Sequence, residues 1–294
     1  MQTVSIIGAG RVGGALALAL GRAGFGVENL FVRRPESVAR AASFAPGAVV
    51  SDAADYGRIR SEIVFITTPD DAIAAAALDL AGKLQTAPVV LHTSGALASD
   101  VLEPLKIKAC PVGSLHPLVS LSDPVRGAEH FAGANFCVEG DPAAVEAARK
   151  IADALGGRSF SIATRYKTLY HAAAVTASGH LVALTDVALE MLGKCGLSEK
   201  DAQATLLPLI ISTVDNLALQ TPAEALTGTF ARADVETFEK HLAALAENVS
   251  DEVREVYLQL GARSAHLAQR RGVDGEKLAL IREKISLAKK DFRC

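Results

Sequence analysis

Four groups of residues in this chain have types and spacings that could do chemistry. The first is Gly8-Ala9-Gly10-Arg11-Val12-Gly13, a GxGxxG run that follows a β-type stretch, Val4-Ser5-Ile6-Ile7, and opens an alanine- and leucine-rich helix. Alone the pattern is weak, but in that context each glycine has a task. Gly8 permits a tight turn, Gly10 lets the backbone approach a pyrophosphate, and Gly13 lets helix and strand pack closely. Arg11 and Val12 begin the helix, whose free N–H groups and positive dipole end suit phosphate oxygens. The second group is Arg33-Arg34-Pro35-Glu36-Ser37. It lies about 20 residues past the last glycine, where NAD-binding folds place an acid for the ribose hydroxyls. Two guanidiniums and the Ser37 hydroxyl suit a 2′-phosphate instead, which predicts NADP (NADPH) as the cofactor. A pair of solvated surface arginines would read the same way. Glu36 is expected inside the next helix and aimed elsewhere.

The third group sits at the ends of apolar strands: Thr67-Thr68-Pro69, His92-Thr93-Ser94-Gly95 and Ser114-Leu115-His116-Pro117. In open parallel sheets the ligand lies beyond the carboxyl ends of the strands. Thr67, Thr68 and Pro69 are therefore expected against the cofactor, His92 and His116 against the substrate, with Ser94 as a donor to the reacting group. Each also fits an ordinary cap or loop residue, Thr68-Pro69 most visibly. The fourth group lies on one helix face: Lys167, His171, Ala174 and Ser178 fall within about 60° of one another at helical spacing. A cation near an apolar interior is costly without a role or a partner. Lys167 is the expected general acid, His171 its neighbour in catalysis and Ser178 a substrate contact. A snorkelling lysine beside a satisfied core histidine is the alternative. Arg232 and His241 could hold a substrate carboxylate or lie on the surface.

The elements that must position these groups change character along the chain. Strands are expected over 3–7, 27–32, 63–67, 89–92, 109–115, 135–138 and 158–162. Helices are expected over 11–22, over 70–83 and from an Asp141 cap to near Leu155. Apolar strands alternating with helices predict a parallel sheet covered on both faces. After Thr164 strand signals cease, and helices near 167–194, 199–219, 235–248, 251–271 and 275–290 follow. The expected fold class is an α/β Rossmann domain with a mainly parallel doubly wound sheet (1–164), then an all-α domain for substrate and dimerisation (165–294).

Composition narrows the class further. Half of the 294 residues are hydrophobic and the net charge is -3, so cores can form without disulfides, and no basic footprint for nucleic acid is present. Cys110, Cys137, Cys195 and Cys294 lack metal-ligand spacing and read as reduced thiols; no metal is expected. A strand beginning at Thr3 is expected to leave no room for a targeting peptide. The stretch 168–192 is long and apolar enough for a membrane span. It carries His171, His180, Asp186 and Glu190, however, and reads as a buried bundle helix of a cytoplasmic protein with no membrane partner. The helical half is more apolar than its own core requires, which predicts a homodimer through that half.

These motifs resemble a known layout. A Rossmann domain followed by a helical domain that opens with a lysine is similar to the β-hydroxyacid dehydrogenase and ketopantoate reductase superfamily. There a KxxxN pair starts the first long helix; Lys167 matches, and His171 stands where asparagine would be. More closely, Ser114-Leu115-His116-Pro117-Leu118, Lys167-Thr168-Leu169-Tyr170-His171-Ala172-Ala173-Ala174 and Ala225-Leu226-Thr227-Gly228 resemble a bacterial family of Rossmann-like proteins with a C-terminal helical domain of unknown function. Gly179 and Thr229 depart from that family's pattern, where asparagine and proline are expected. The resemblance implies an NADPH-dependent oxidoreductase acting on a small keto acid of the ketopantoate type. An imine reductase of the pyrroline carboxylate reductase type is the second enzyme reading, and a non-catalytic NADP-binding redox sensor a third.

Overall fold

The structure, a computed structural model, describes residues 1–290, and Cys294 lies outside them. Contacts divide the chain into two compact units, Met1–Gly179 and the residues from His180 onward. The switch to wholly helical structure comes at Thr164, but the first long helix after it packs with the sheet, so the compact unit runs on to Gly179.

The first unit holds eight strands: β1 (Thr3–Ile7), β2 (Gly26–Phe31), β3 (Val49–Ser51), β4 (Ile63–Ile66), β5 (Val89–His92), β6 (Val112–Pro117), β7 (Asn135–Gly140) and β8 (Arg158–Phe160). They form one sheet in the order β3-β2-β1-β4-β5-β6-β7-β8. From β3 to β6 all neighbours are parallel; β7 runs antiparallel to β6, and β8 is parallel to β7. The helices are α1 (Arg11–Arg22), α2 (Val38–Phe44), α3 (Asp70–Lys83), α4 (Pro124–Glu129), α5 (Pro142–Ala154) and α6 (Lys167–Ala177). Alternating side chains feed two cores. Val4, Ile6, Phe65, Leu91, Leu115 and Val138 pack with α1 and α5. Ile7, Val64, Ile66, Val90 and Val112 pack with α3 and with a 3₁₀ helix, Ser99–Lys108. A sheet buried on both faces is why these strands read as nearly continuous apolar runs.

Three local expectations are corrected. The strand expected from 109 begins at Val112, because the 3₁₀ helix ends at Ala109 in the left-handed region, φ 57°. Asp141 sits at the N-cap of α5, yet its carboxylate accepts the Val112 N–H at 3.0 Å rather than capping. The single helix expected over 167–194 breaks at Ser178 (φ -115°, ψ -70°) into α6 and α7 (Gly179–Lys194).

The second unit continues with α8 (Glu199–Leu219), α9 (Pro222–Ala225), α10 (Gly228–Ala231), α11 (Val235–Asn248), α12 (Asp251–Arg270) and α13 (Gly275–Lys290). Its core includes Phe238, Leu258, Ala265, Ala268, Leu278 and Ile281 from the last three helices, joined by Ala233 from the turn before α11. The expectation of a buried bundle helix fails for α7, which has no buried residue, and α8 buries only Ala202. Thr164–Lys194 and Glu199–Leu219 are each long and apolar enough to cross a membrane by length and composition. Val182, Leu209 and Ile211 are among their exposed apolar side chains.

Candidate functional site

The turn between β1 and α1 is shaped from within the protein at two of its three glycines. Gly8 has φ +100°, a conformation L side chains rarely adopt, and a Cβ there would stand 3.1 Å from the Thr68 nitrogen. A Cβ at Gly13 would collide with the Gly8 carbonyl oxygen and with Thr67 Oγ1. At Gly10 nothing lies within 4 Å of such a Cβ, so the α1 N-terminus is open on that side. Thr67 Oγ1 lies 2.5 Å from the Gly8 carbonyl oxygen and 3.1 Å from that of Ile7, so its one proton ties β4 to the turn. Thr67 is thus a brace. Thr68 differs: its Oγ1 is buried without a hydrogen-bond partner among the described residues, and Pro69 occupies the α3 N-cap with no side-chain cap bond. A cap role for Thr68 is therefore excluded, and its hydroxyl stays available to a ligand. Arg33 and Arg34 are exposed directly after β2, and Ser37 closes a short 3₁₀ turn, Pro35–Ser37, that also contains Glu36.

A second constellation crosses the sheet near the ends of β5 and β6. Register places His92 beside Ser114 and Ser114 beside Glu139, so three polar side chains form a row on one face. All three are buried, with Ser114 at 0 % and Glu139 at 5 % exposure. Lys167, the first residue of α6, is laid over this row and is 1 % exposed. Its Nζ donates to Ser114 Oγ at 2.5 Å and lies 3.7 Å from Glu139 Oε1. Ser114 in turn donates to Glu139 at 2.8 Å, and Ser99 gives the carboxylate its N–H at 2.9 Å and its hydroxyl at 2.8 Å. Burial lowers the Lys167 pKa from its ordinary value, and the Glu139 carboxylate opposes that.

One turn further along α6, Tyr170 and His171 meet the end of β6. His116 Nδ1 and the Tyr170 hydroxyl are 2.7 Å apart, and the rings of His116 and His171 meet edge to face at 5.9 Å. Gly95 is wedged between the two imidazoles: a Cβ there would stand 2.5 Å from His171 Nδ1 and 2.7 Å from His116 Nε2. His171 Nδ1 is buried without a partner among the described residues. Burial, reinforced by the Lys167 charge, pushes His92 down to about 3 and His116 down to about 4. Both imidazoles are therefore neutral near pH 7. The Ser94 N–H donates to His92 Nδ1 at 3.1 Å, placing the proton of that neutral ring on Nε2.

The structure thus brings together Lys167, His171, His116, His92 and Ser94 within the first unit. Ser94 Oγ accepts the N–H groups of Ala96 and Leu97 and so caps a turn, which leaves its own proton free to donate. Ser178 is a correction. It is exposed at the C-terminus of α6, outside the buried stripe, because the helix breaks there. His241 and Arg232 belong to the second unit, where His241 Nδ1 is 2.7 Å from the Tyr257 hydroxyl and Arg232 is exposed. Sequence reasoning missed Glu139, Ser99 and Tyr170. The available signal for Glu139 was an acid inside Phe136-Cys137-Val138-Glu139, a run too apolar for an unpaired carboxylate.

A parallel sheet whose strand order reverses at β1/β4, with a glycine turn at that switch point, defines a Rossmann-type fold. Residues 1–117 match the Rossmann-like domain family and residues 134–264 a domain of unknown function, DUF2520. The chain joins a Rossmann-like domain to a DUF2520 domain, the combination its motifs resemble. No curated protein matches the sequence. Among solved structures, protein TM1727 from Thermotoga maritima is 23% identical with a TM-score of 0.72, over 91% of this chain and 99% of that one. The reductive aminase from Aspergillus terreus, in complex with NADPH and ethyl levulinate, is 18% identical with a TM-score of 0.65, over 96% and 98%. The pyrroline carboxylate reductase of Plasmodium falciparum, with NADP bound, is 12% identical with a TM-score of 0.59, over 91% and 98%. These likenesses establish the shared fold.

Proposed function

We propose that this protein is an NADPH-dependent oxidoreductase that reduces a small keto acid, with ketopantoate the first substrate to try. The observation that carries the reading is a buried lysine, Lys167, beside neutral imidazoles at the end of the sheet that bears the glycine turn. The residues fit the cofactor: Gly10 is open where a pyrophosphate would approach, Thr68 has an uncommitted hydroxyl, and Arg33 and Arg34 are exposed after β2 to meet a 2′-phosphate, with Glu36 in the 3₁₀ turn beyond them rather than in the next helix. When bound, NADPH supplies the hydride. The chain supplies the rest. A protonated lysine has three donors: one goes to Ser114, and a second faces Glu139 Oε1 across 3.7 Å as an ion-pair contact without a hydrogen bond. The third can meet a carbonyl oxygen as negative charge develops there and then deliver the proton. Neutral His92 and His116 add no competing charge.

The fold shared with NADPH-bound reductive aminase and NADP-bound pyrroline carboxylate reductase favours a second reading, reduction of a carbon–nitrogen double bond. The same panel tests both: NADPH oxidation with ketopantoate, other small keto acids, pyrroline carboxylate and keto acid–amine mixtures. Replacing Lys167 with alanine should lower turnover about 10²–10⁴-fold while NADPH binding stays intact, the range of acid–base catalysis. Parental turnover by that variant would remove the lysine from the chemistry. NADPH binding with no oxidation on any panel member would favour a sensor.

The exposed apolar faces of α7 and α8 support a further proposal, that the protein forms a homodimer through its helical half. A soluble cytoplasmic enzyme is the setting proposed for it.

A further inference from the structure

We propose that Glu139 is a positioning residue for the reaction: anchored on β7, its carboxylate holds the Lys167 ammonium charged and in place. The inference deepens the reading of Lys167 given above and rests on it. The two partners are held unequally. Glu139 accepts three hydrogen bonds apart from the lysine, two from Ser99 and one from Ser114, so it is fixed to β6 and to the start of the 3₁₀ helix. Among the described residues Lys167 has the Ser114 bond and the Glu139 contact alone. The carboxylate is therefore the fixed member, and the lysine, arriving on a separate helix, is the guided one. Ser114 is oriented by the same arrangement: it gives its proton to Glu139 and presents a lone pair to Nζ.

The surroundings leave Glu139 as the counter-charge. The titratable groups that act electrostatically with Lys167 are His92 on β5, His116 on β6, and Cys137 and Glu139 on β7. Burial drives both histidines to their neutral form and raises the Cys137 thiol above its ordinary value, so neither type offsets a cation near pH 7. A buried ion pair of this kind is poor value as a fold stabiliser, since an apolar pair of similar volume commonly serves as well or better, whereas removing one partner alone is severe. A charged pair buried in this way points to a use for the charge.

The test compares Glu139→Gln, Glu139→Asp, Lys167→Met and the double variant Lys167→Met/Glu139→Gln in the full chain. Thermal midpoints are measured from about pH 6 to pH 10, with NADPH binding and turnover measured alongside. A buried lysine whose folded pKa lies below its unfolded value penalises the fold while protonated, and the penalty is relieved as pH rises through the folded value toward the ordinary one. Loss of Glu139 should deepen that penalty and move its relief to lower pH. Glu139→Gln is thus expected to gain stability with rising pH more steeply than the parent, and the double variant to lose that slope and recover the parental midpoint. NADPH affinity should stay within about two-fold, while turnover falls about 10²-fold, its alkaline limit moves to lower pH, and Glu139→Asp restores part of it. An unchanged stability–pH profile in Glu139→Gln, or a double variant no more stable than Glu139→Gln, would overturn the proposal. So would a turnover loss in Glu139→Gln without movement of the alkaline limit. Should the parent oxidise NADPH with nothing on the panel, the functional reading fails, while the stability–pH comparison still decides whether Glu139 holds Lys167 charged.

Discussion

Two alanine substitutions in the same turn should fail in opposite ways, and together they test whether the turn is built for a ligand. At Gly10 the backbone is extended (φ -77°, ψ -152°), and nothing stands within 4 Å of an added Cβ. Losing glycine at an N-cap costs about 0.5–1 kcal/mol, and restricting the unfolded chain returns about 0.4–1 kcal/mol, so Gly10→Ala should leave stability nearly unchanged. The new methyl group would stand where a pyrophosphate must approach. Losing one or two charge-assisted bonds of about 1.5–3 kcal/mol each predicts NADPH binding at least ten-fold weaker. Gly13→Ala meets the Gly8 carbonyl oxygen and the Thr67 hydroxyl, and the backbone partner cannot rotate away. Overpacking of this kind costs about 1–3 kcal/mol, with more where the Thr67 tie to the turn is lost. For a unit of this size that is a drop of roughly 2–12 °C in thermal midpoint. Differential scanning fluorimetry and fluorescence titration of NADPH separate the two effects. A Gly10→Ala protein that binds NADPH like the parent, or a Gly13→Ala protein of parental stability, would refute the assignment of roles within the turn.

The remaining predictions use other parts of the molecule. Replacing Arg33 and Arg34 together with alanine should cost about 1–3 kcal/mol of NADPH binding and leave NADH affinity nearly unaffected; equal affinity of the parent for both cofactors would contradict the reading. His92 and His116 titrate near 3 and 4 in the folded state against an ordinary 6.5, so the folded protein binds fewer protons than the unfolded chain between those values. The contribution of these two histidines to stability should therefore be full above about pH 6.5 and fall as pH drops toward 4, each unit of displacement being worth about 1.4 kcal/mol; a His116→Gln variant should show a shallower acid limb in urea titrations. Sedimentation at micromolar concentration should show a dimer, and charged substitutions at Leu209 and Ile211 should dissociate it; a monomeric parent would refute that assembly.

What could be read in advance, and what could not, divides along the range of the interactions involved. The β1–turn–α1 unit was legible because its signals are local: an apolar run, three glycines at fixed spacing and a helix. Helix α8 falls where it was expected, over 199–219, and the structure adds that Ser198 caps it by accepting the Asp201 N–H. The antiparallel direction of β7 was not legible, because the Asp123-Pro124 start of the short α4 gives a helix signal without saying which way the chain returns. Glu139 could be suspected as a buried acid from its alternation with Phe136 and Val138. Its partner could not, since Lys167 reaches it from another element and Ser99 from a 3₁₀ helix with Pro104 inside it. The exposure of α7 was misread because apolar content is the same whether a helix is covered by its own chain or by something else.

The packing of α6 against the sheet has a consequence for recombination between relatives. A crossover placed at residue 164, where strands give way to helices, would take Lys167, Tyr170 and His171 from one parent and Ser114, His116 and Glu139 from the other. The hybrid would have to re-form a buried ion pair and an imidazole–phenol bond from side chains drawn from two lineages. A crossover at Gly179 moves all six residues as one block and cuts at the end of a compact unit. Shuffled libraries of such chains should therefore return folded members mostly from the later junction. The heritable module is the sheet together with the first helix that follows it.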